Sequence, residues 1–341
     1  MGSIRLLFLF STLFSILLIL LGLFLLQKSP KITYKHKQVT FSTAGVHNTS
    51  SFAFVYVFKS LNDPHSIFDR ISFSRLLVSV KSLLETGTDH QVVVLSNSWT
   101  GEYKEMFSRC FGERVQVREM EDANVTEGKW VSFTTYGNWK MAWFKLLIFK
   151  LFEYKKIVFL DADTLVLKDI SELFLSSESL YGALDLADLP FKCKQKNVFG
   201  EKNLNSGLLV ASPSPQKFSE ILSKLKELPP QNGDQKFLQM VFPDFSVLPV
   251  CYGYIYELCN CASVVPFESV KTVHFTSSSP VYQYLGVVEG SQLSDAQNCF
   301  IKIAKRWYDT AKRLEIVRNG EYYINSDLSL RLDTPANRKT E

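Results

Sequence analysis

Two aspartates follow an apolar stretch in Val158–Val166, whose sequence is V-F-L-D-A-D-T-L-V. Asp161 and Asp163 are spaced i, i+2, and residues at that spacing share one face of a strand. Past the strand end the chain can curl, so both carboxylates can converge on one ion. Two hard oxygen donors suit Mg²⁺ or Mn²⁺, which offsets the charge of a diphosphate. The pair predicts a metal site, although a bare D-x-D can also cap a helix or solvate a turn.

A lysine precedes these aspartates on a stretch with helical spacing. Its i±3 and i±4 neighbours are all apolar, and around Lys145 they are Met141, Ala142, Ile148 and Phe149. A lysine on such a face either reaches a phosphate or a substrate hydroxyl, or packs its stem while the ammonium group extends to water. The spacing alone leaves both interpretations open.

Three later sites offer polar groups of other kinds. The N-S-G motif at 205–207 starts an apolar strand, and Asn205 either binds sugar hydroxyls or forms a turn. The G-D-Q motif at 233–235 opens a helix, where Asp234 either caps the helix or, with Gln235, holds a transferred group. His274 lies between two apolar residues and is either a core histidine or a third metal ligand. As a ligand it fits Mn²⁺ better than Mg²⁺.

Alternating strands and helices must position these groups. Strands are predicted at 52–58, 91–95, 115–117, 157–160, 180–186 and 206–211. Helical segments are predicted at 66–84, 140–152, 170–174, 216–228, 234–241 and 299–317. This alternation indicates an α/β domain with a mostly parallel sheet. Open sheets of this kind bind ligands outside the carboxyl ends of their strands, which is where the two aspartates lie.

The chain has 341 residues, of which 46% are apolar and 21% charged, and a formal net charge of +4. Lysine and arginine are scattered, which argues against a nucleic-acid partner. Leu6–Leu26 contains no charged residue and, as a helix, would extend about 31 Å, enough for a bilayer core. We therefore expect a short tail at 1–5, a transmembrane signal anchor at 6–26, a stem at 27–51, one catalytic domain at 52–325 and a flexible tail at 326–341.

Two signals disagree on which side of the membrane the domain lies. Lysines after the apolar run favour the cytosol by the positive-inside rule. The sequons at Asn48 and Asn124, and an even number of cysteines (six), favour the lumen. The cysteines lack a paired C-x-x-C pattern, so we expect disulfides rather than zinc, with the pairing undetermined. We expect a single-pass type II protein of the Golgi or endoplasmic reticulum membrane with a lumenal domain.

The chain contains, in this order, Lys145, D-A-D at 161–163, N-S-G at 205–207, G-D-Q at 233–235 and V-H-F at 273–275. In their order and spacing these features resemble glycosyltransferase family 8, the glycogenin-like retaining transferases. The stretch F-L-D-A-D-T-L-V-L-K-D-I-S-E-L-F is very close to the family's. The likeness extends roughly from Phe52 to Tyr284. It implies a GT-A fold, a Rossmann-like α/β/α sandwich with a D-x-D motif, in which a sugar passes from a UDP-sugar to a hydroxyl acceptor with its configuration retained.

The resemblance also implies roles for individual residues. The metal, Mn²⁺, would be bound by Asp161, Asp163 and His274. The catalytic residues would be Lys145, Asp234 and Gln235. Other contacts to the donor would come from Val57 and Lys59 near the uridine, and from Ala162, Asn205 and Ser206. The acceptor would be a lumenal glycan, glycoprotein or glycolipid.

One departure from the family follows His274. Shortly after the histidine the family usually has a glycine followed by x-x-K-P-W, whereas this chain has F-T-S-S-S-P-V-Y-Q-Y, with Ser277 at the glycine and no lysine before Lys302. Because that lysine helps to neutralise the leaving diphosphate, an alternative is a membrane-anchored pseudoglycosyltransferase that only binds its ligands. A remoter alternative is a phosphatase of the haloacid dehalogenase type, with Asp161 as nucleophile. That family needs a second later acid, and Leu238 stands at its position.

Overall fold

The computed structural model describes residues 51–59, 67–97, 101–119, 137–185, 203–227, 233–261, 267–276, 293–314, 317–318, 321–323 and 329–331. All of them lie in one compact unit, Val39–Glu341. The expected anchor at 6–26, both sequons and the expected tail at 326–341, apart from 329–331, lie outside the described residues. Among the helices that are described, none is both long enough and apolar enough to cross a bilayer.

The described strands are β1 (Phe52–Phe58), β2 (Gln91–Ser96), β3 (Val115–Glu119), β4 (Lys156–Leu160), β5 (Thr164–Val166), β6 (Leu180–Leu184), β7 (Leu204–Ala211), β8 (Ser246–Val247), β9 (Tyr254–Ile255), β10 (Thr272–His274), β11 (Val317–Arg318), β12 (Glu321–Tyr323) and β13 (Ser329–Arg331). The α-helices are α1 (Ile67–Leu84), α2 (Gly101–Phe111), α3 (Pro215–Glu227), α4 (Gly233–Val241) and α5 (Asp295–Arg313). The 3₁₀ helices are Gly112–Arg114, Gly137–Lys150, Ser171–Leu175, Val250–Tyr252, Tyr256–Cys261 and Phe267–Ser269.

The main sheet has seven strands in the order β3-β2-β1-β4-β7-β6-β8. β1 pairs in parallel with β2 and β4, β2 with β3, and β6 with β8. Only β7 runs against its neighbours, β4 and β6. The mostly parallel sheet predicted from the sequence is confirmed, with one antiparallel strand, β7, between β4 and β6.

The strands form because apolar residues occur on both of their faces. Along β1, Phe54 and Tyr56 face one hydrophobic cluster, whereas Ala53 and Val55 face a second. Helices α1, α2 and α5 contribute to the first cluster, and Gly137–Lys150, α3 and α4 to the second. Strands buried on both faces are the expected pattern for a sheet covered by helices on each side.

A second, smaller sheet in the order β5-β10-β9 follows the main one. β5 begins directly after the D-A-D motif and pairs antiparallel with β10, so that Thr164 lies opposite His274. β10 pairs in parallel with β9. This sheet therefore connects the aspartates to a residue more than a hundred positions later in the chain.

Several elements differ from the sequence-based expectations. The helix expected at 140–152 is the 3₁₀ helix Gly137–Lys150. The helix expected at 299–317 is α5, which starts four residues earlier because Ser294 and Gln297 form a capping box. Helix α2 was not predicted, although Tyr103, Met106 and Phe107 have helical spacing and are buried.

Candidate active site

Asp161 and Asp163 lie in a turn between β4 and β5, at the carboxyl end of β4. The Asp161 amide donates to the Gly207 carbonyl at 2.8 Å, which ties the turn to β7. The Thr164 amide donates to the Asp161 carbonyl at 3.1 Å. The backbone is thus fixed on both sides of the acidic pair, and the side chains remain 28% and 25% exposed.

His274 reaches the aspartates from β10. The Phe275 amide donates to the Asp163 carbonyl at 3.0 Å, which places the histidine beside the turn. Its Nε2 lies 3.2 Å from Asp163 Oδ1 and 3.9 Å from Asp161 Oδ2. The three side chains form a cluster whose ligand atoms all lie within 4.8 Å of one another.

This donor set fits a divalent cation. Two ligands that each lie about 2.1 Å from a common ion are at most about 4.2 Å apart, and both nitrogen–oxygen distances satisfy that limit. Two carboxylates with one imidazole suit Mn²⁺ better than Mg²⁺. Asp161, Asp163 and His274, the three ligands expected from the sequence, are therefore brought together.

Burial and charge act against each other in this cluster. Burial raises the pKa of Asp161, with Lys145 opposing that rise and Asp163 adding to it. Burial also acts to raise the pKa of Asp163, but the adjacent His274 outweighs it and the pKa is lowered. Burial acts to lower the pKa of His274, and Asp163 with Asp161 outweighs it, so this pKa is raised. Each pKa shift reflects negative charge concentrated in a partly buried pocket.

Gly207 on β7 makes room for the imidazole. A Cβ atom at this position would lie 2.2 Å from His274 Cε1 and 2.4 Å from its Nδ1. No side chain fits there without displacing the ring. The glycine of the N-S-G motif is therefore explained by close approach of the histidine, a role that the sequence analysis did not assign.

Lys145 lies in the centre of a second polar cluster. Its Nζ is 3.1 Å from Asp161 Oδ2 and 3.2 Å from Asp234 Oδ2. It also donates to the carbonyl and the Oγ of Ser206, at 3.1 and 3.0 Å. The side chain is only 6% exposed, so the ammonium group does not extend to water. Of the two interpretations in the sequence analysis, the extension to water is therefore wrong, and contact with a phosphate or a substrate hydroxyl stays a prediction.

The remaining members of this cluster also bond to one another. Ser206 Oγ donates to Asp234 Oδ2 at 2.7 Å. Burial acts to lower the pKa of Lys145, but the carboxylates of Asp161 and Asp234 act more strongly in the other direction, so the net effect is a raised pKa. Lys145 therefore stays protonated and joins the strand-end aspartate to helix α4. Gly233 starts that helix with a φ of 64°, a conformation that favours glycine.

Gln235 and Asn205 are fixed by hydrogen bonds as well. Gln235 accepts from the Ser206 amide at 3.3 Å and donates to Asp185 Oδ2 at 2.7 Å. Asn205 Oδ1 accepts from the Gly207 amide at 2.9 Å. These contacts orient both side chains in the lining of one cavity.

A cavity of about 680 Å³ joins the two clusters. Its lining contains eight of the eleven residues that the sequence singled out, namely Lys145, Asp161, Asp163, Asn205, Ser206, Asp234, Gln235 and His274. It also contains residues that were missed, including Asp185, Asn203, Lys236, Gln239 and Thr276. Asp185 directly follows β6, so the strand-end reasoning that found Asp161 could have found it too.

Three residues that were expected to contact the UDP-sugar are not among the described residues that line the cavity. Val57 is half-buried against the second hydrophobic cluster, and Lys59 Nζ lies 5.6 Å from the centroid of the Phe144 ring. Ala162 packs against the first cluster. Their roles near the nucleotide stay predictions. The stretch 277–292, where the family lysine would occur, lies outside the described residues.

Comparison with known proteins places these residues in a family. A family model described as "Glycosyl transferase family 8" matches residues 68–279, more than half of the chain. Inositol phosphorylceramide glucuronosyltransferase 1 of Arabidopsis thaliana is 32% identical over 171 residues, which is 48% of this chain and 27% of that protein. Galactinol synthase 1 of Solanum lycopersicum is 29% identical over 179 residues, 48% of this chain and 55% of that protein. The chain thus matches between about a quarter and about half of the length of these relatives.

Solved structures agree on the fold. The galactosyltransferase LgtC in complex with donor and acceptor sugar analogues is 16% identical, with a TM-score of 0.54, and the match covers 78% of this chain and 98% of that one. The bifunctional glycosyltransferase WbbM is 17% identical, with a TM-score of 0.53, over 81% of this chain and 54% of that one. At this identity the likeness shows the fold alone, which is the GT-A fold expected from the sequence.

Proposed function

The chain belongs to glycosyl transferase family 8, and on that basis we propose that it transfers a sugar from a UDP-sugar to an acceptor hydroxyl, with retention of configuration and with Mn²⁺ as cofactor. The observation that carries the proposal is the meeting of Asp161, Asp163 and His274 with the Lys145 cluster in one cavity. A cation site beside polar groups that suit a sugar is the arrangement such a transfer needs.

The two clusters have separate tasks in this proposal. Asp161, Asp163 and His274 would hold the cation, whose charge would stabilise the departing diphosphate. Lys145 fixes the orientation of Asp161 and Asp234 through its two ion pairs, so the carboxylates are arranged before substrate binds. Preorganised charge of this kind needs no rearrangement during the reaction.

Asn205, Asp234 and Gln235 face the transferred sugar. Asp234 has one oxygen, Oδ2, engaged by Lys145 and Ser206, which leaves Oδ1 as an acceptor for a hydroxyl group. Gln235 is held between the Ser206 amide on β7 and Asp185, which follows β6, so its position is set from two sides. We place these side chains at the sugar end of the cavity and the three metal ligands at the diphosphate end.

We propose glucuronic acid as the first candidate for the transferred sugar, because the relative matched at 32% identity is named a glucuronosyltransferase. Galactose, glucose, N-acetylglucosamine and xylose complete the panel. For the acceptor we propose a hydroxyl of a lumenal glycan, glycoprotein or glycolipid. The name of the same relative, which includes inositol phosphorylceramide, supports the lipid-linked acceptor.

We also propose that the domain lies in the lumen of the Golgi or endoplasmic reticulum, anchored by 6–26. The disulfide Cys259–Cys299 supports this placement, because disulfides form and persist in oxidising compartments. Treatment of sealed vesicles with a protease tests it. A protected domain is expected, and degradation without detergent would place the domain in the cytosol.

Release of UDP by the purified full chain tests the activity. Each UDP-sugar is supplied with and without Mn²⁺, beside Asp163→Asn as the control that keeps the side-chain shape. We expect Mn²⁺-dependent release from one donor, reduced at least about 100-fold in the variant. Equal release in the variant would place the metal elsewhere, and an absence of UDP binding would refute the proposed donor.

The pseudoglycosyltransferase is the second candidate, and Ser277 with the missing lysine favours it. It predicts UDP binding with normal affinity and no release from any donor, even when candidate acceptors are present. Calorimetry with UDP, run beside the release assay, separates the two candidates. A measurable dissociation constant without turnover would support binding alone.

A further inference from the structure

His274 does not come from the main sheet, which carries Ser206 on β7 and whose strand β4 ends just before Asp161. It lies on β10, in the small sheet, and reaches the aspartates through the β5–β10 pairing. The position of the third metal ligand therefore depends on what fixes β10. One flank of β10 is β5, which continues from the aspartates, and the other is β9.

A disulfide lies directly behind β9. Cys259 and Cys299 are joined across 40 residues, and both are buried. The loop that they close contains His274. Within β9, Tyr254 pairs with Val273 of β10, and its hydroxyl lies 3.6 Å from Cys299 Sγ. A short path of contacts thus connects the disulfide to the residue that precedes the histidine.

Helix α5, which carries Cys299, reaches the same place by a second path. The ring of Phe300 lies 4.5 Å from that of Tyr256, which in turn lies 5.9 Å from the ring of Phe275. The other end of α5 is attached to the residue that follows α1, because Arg313 donates to both oxygens of Glu85 at 2.7 and 2.6 Å. Helix α5 is a fixed support against which the histidine-bearing segment packs.

We propose that the Cys259–Cys299 disulfide positions His274, so that the metal site is assembled before the ion arrives. When only a fraction of molecules is competent to bind, the apparent dissociation constant rises by the inverse of that fraction. Without the bond, the strands β9 and β10 lose one of their supports, and His274 leaves the aspartates in part of the population. The proposal rests on the proposed function only in taking this cluster as a metal site.

We expect loss of the disulfide to weaken metal binding without weakening UDP binding. Lys145 lies in the 3₁₀ helix Gly137–Lys150, Ser206 on β7 and Asp234 on α4, and their contacts are with one another and with Asp161 rather than with the disulfide. Loss of the bond therefore leaves their cluster intact. If the disulfide merely stabilised the fold, its loss would lower the stability of the fold without changing the affinity for Mn²⁺.

Manganese binding by electron paramagnetic resonance tests the proposal without any turnover. The probe is Mn²⁺ itself, titrated into the full chain and into the double variant Cys259→Ala/Cys299→Ala. We expect the apparent dissociation constant to rise about fivefold or more, as it does when the competent fraction falls to a fifth. UDP affinity measured without metal is expected to stay within about twofold.

A second pair of variants keeps the test decisive if the double variant does not fold. Phe300→Leu loosens the support of the histidine segment, and Phe218→Leu removes a similarly buried ring in the other hydrophobic cluster. We expect only Phe300→Leu to weaken Mn²⁺ binding. Equal Mn²⁺ affinity in every folded variant and the parent would overturn the positioning role alone. A parent chain that binds no Mn²⁺ would overturn the proposed metal site as well.

Discussion

The lysine cluster and the metal-ligand cluster lie side by side in one cavity, yet they are built differently. Lys145, Ser206 and Asp234 are buried and bond to one another, so this side is complete within the protein. Asp161 and Asp163 are about a quarter exposed and meet an imidazole from a separate sheet. One side is a closed network, and the other is an open set of ligands that an ion completes.

The difference indicates that the lysine cluster contributes mainly to the stability of the fold and the metal-ligand cluster mainly to function. A buried charge left without its partner is costly, so the lysine side contributes to folding. The ligand side concentrates negative charge, which a divalent cation relieves. We therefore expect substitutions in the first cluster to lower the stability of the fold, and substitutions near the second to weaken metal binding with little change in stability.

The largest effect is expected for Lys145→Met. This change leaves Asp161 and Asp234 without their common cation, and breaking a buried pair typically costs about 3–5 kcal/mol of unfolding free energy. Urea denaturation of the full chain measures it. Lys168→Met, in which an exposed lysine is replaced, is the control and should change stability by less than about 1 kcal/mol. Equal losses in the two variants would contradict a closed network.

A smaller effect is expected for Gly207→Ala, and it should be a loss of affinity for the metal ion. The added Cβ would meet the imidazole at 2.2 Å and push it from the aspartates. We expect Mn²⁺ affinity to fall about 10-fold or more, as it does when a ligand loses its orientation. Gly101→Ala is the matched control, because a Cβ there meets nothing within 4 Å. Unchanged affinity in Gly207→Ala would show that the ring has room elsewhere.

Next in size is Asp185→Ala, which tests the sugar end of the cavity. The change removes the acceptor of the Gln235 amide, and a lost hydrogen bond of this kind is worth about 1–1.5 kcal/mol, or about tenfold. We expect kcat to fall by that factor while Mn²⁺ affinity is unchanged. Asp185→Asn retains an acceptor oxygen and should recover most of the activity. A parallel fall in Mn²⁺ affinity would place Asp185 on the metal side.

The smallest effect is expected for Lys236→Gln at the edge of the cavity. Lys236 is exposed, lines the cavity and forms no ion pair with any described residue. An exposed charge contributes about 0.2–1 kcal/mol, so KM for an anionic donor such as UDP-glucuronate should rise no more than about fivefold. KM for UDP-galactose should hardly change. A similar rise in KM for both UDP-sugars would mean that Lys236 does not interact with the charge of the sugar.

Most of the site could be predicted from the sequence because its motifs, in their order and spacing, resemble one family. Local signals alone singled out the two aspartates, which end an apolar strand, and left the role of Lys145 open. Gly207 was recognised only as part of a motif, because its contact with His274 depends on β5 and β10, which have three residues each and no readable alternation. The Cys259–Cys299 pairing also required the fold, since six cysteines allow 15 pairings.

Crystals of the full chain soaked with Mn²⁺ and UDP test the central claim most directly. Anomalous scattering locates the manganese independently of the protein density. We expect one peak about 2.0–2.2 Å from an oxygen of Asp161, an oxygen of Asp163 and Nε2 of His274, with the diphosphate beside it. Bound UDP with manganese at another position, or with none in the cavity, would contradict the metal site on which the account rests.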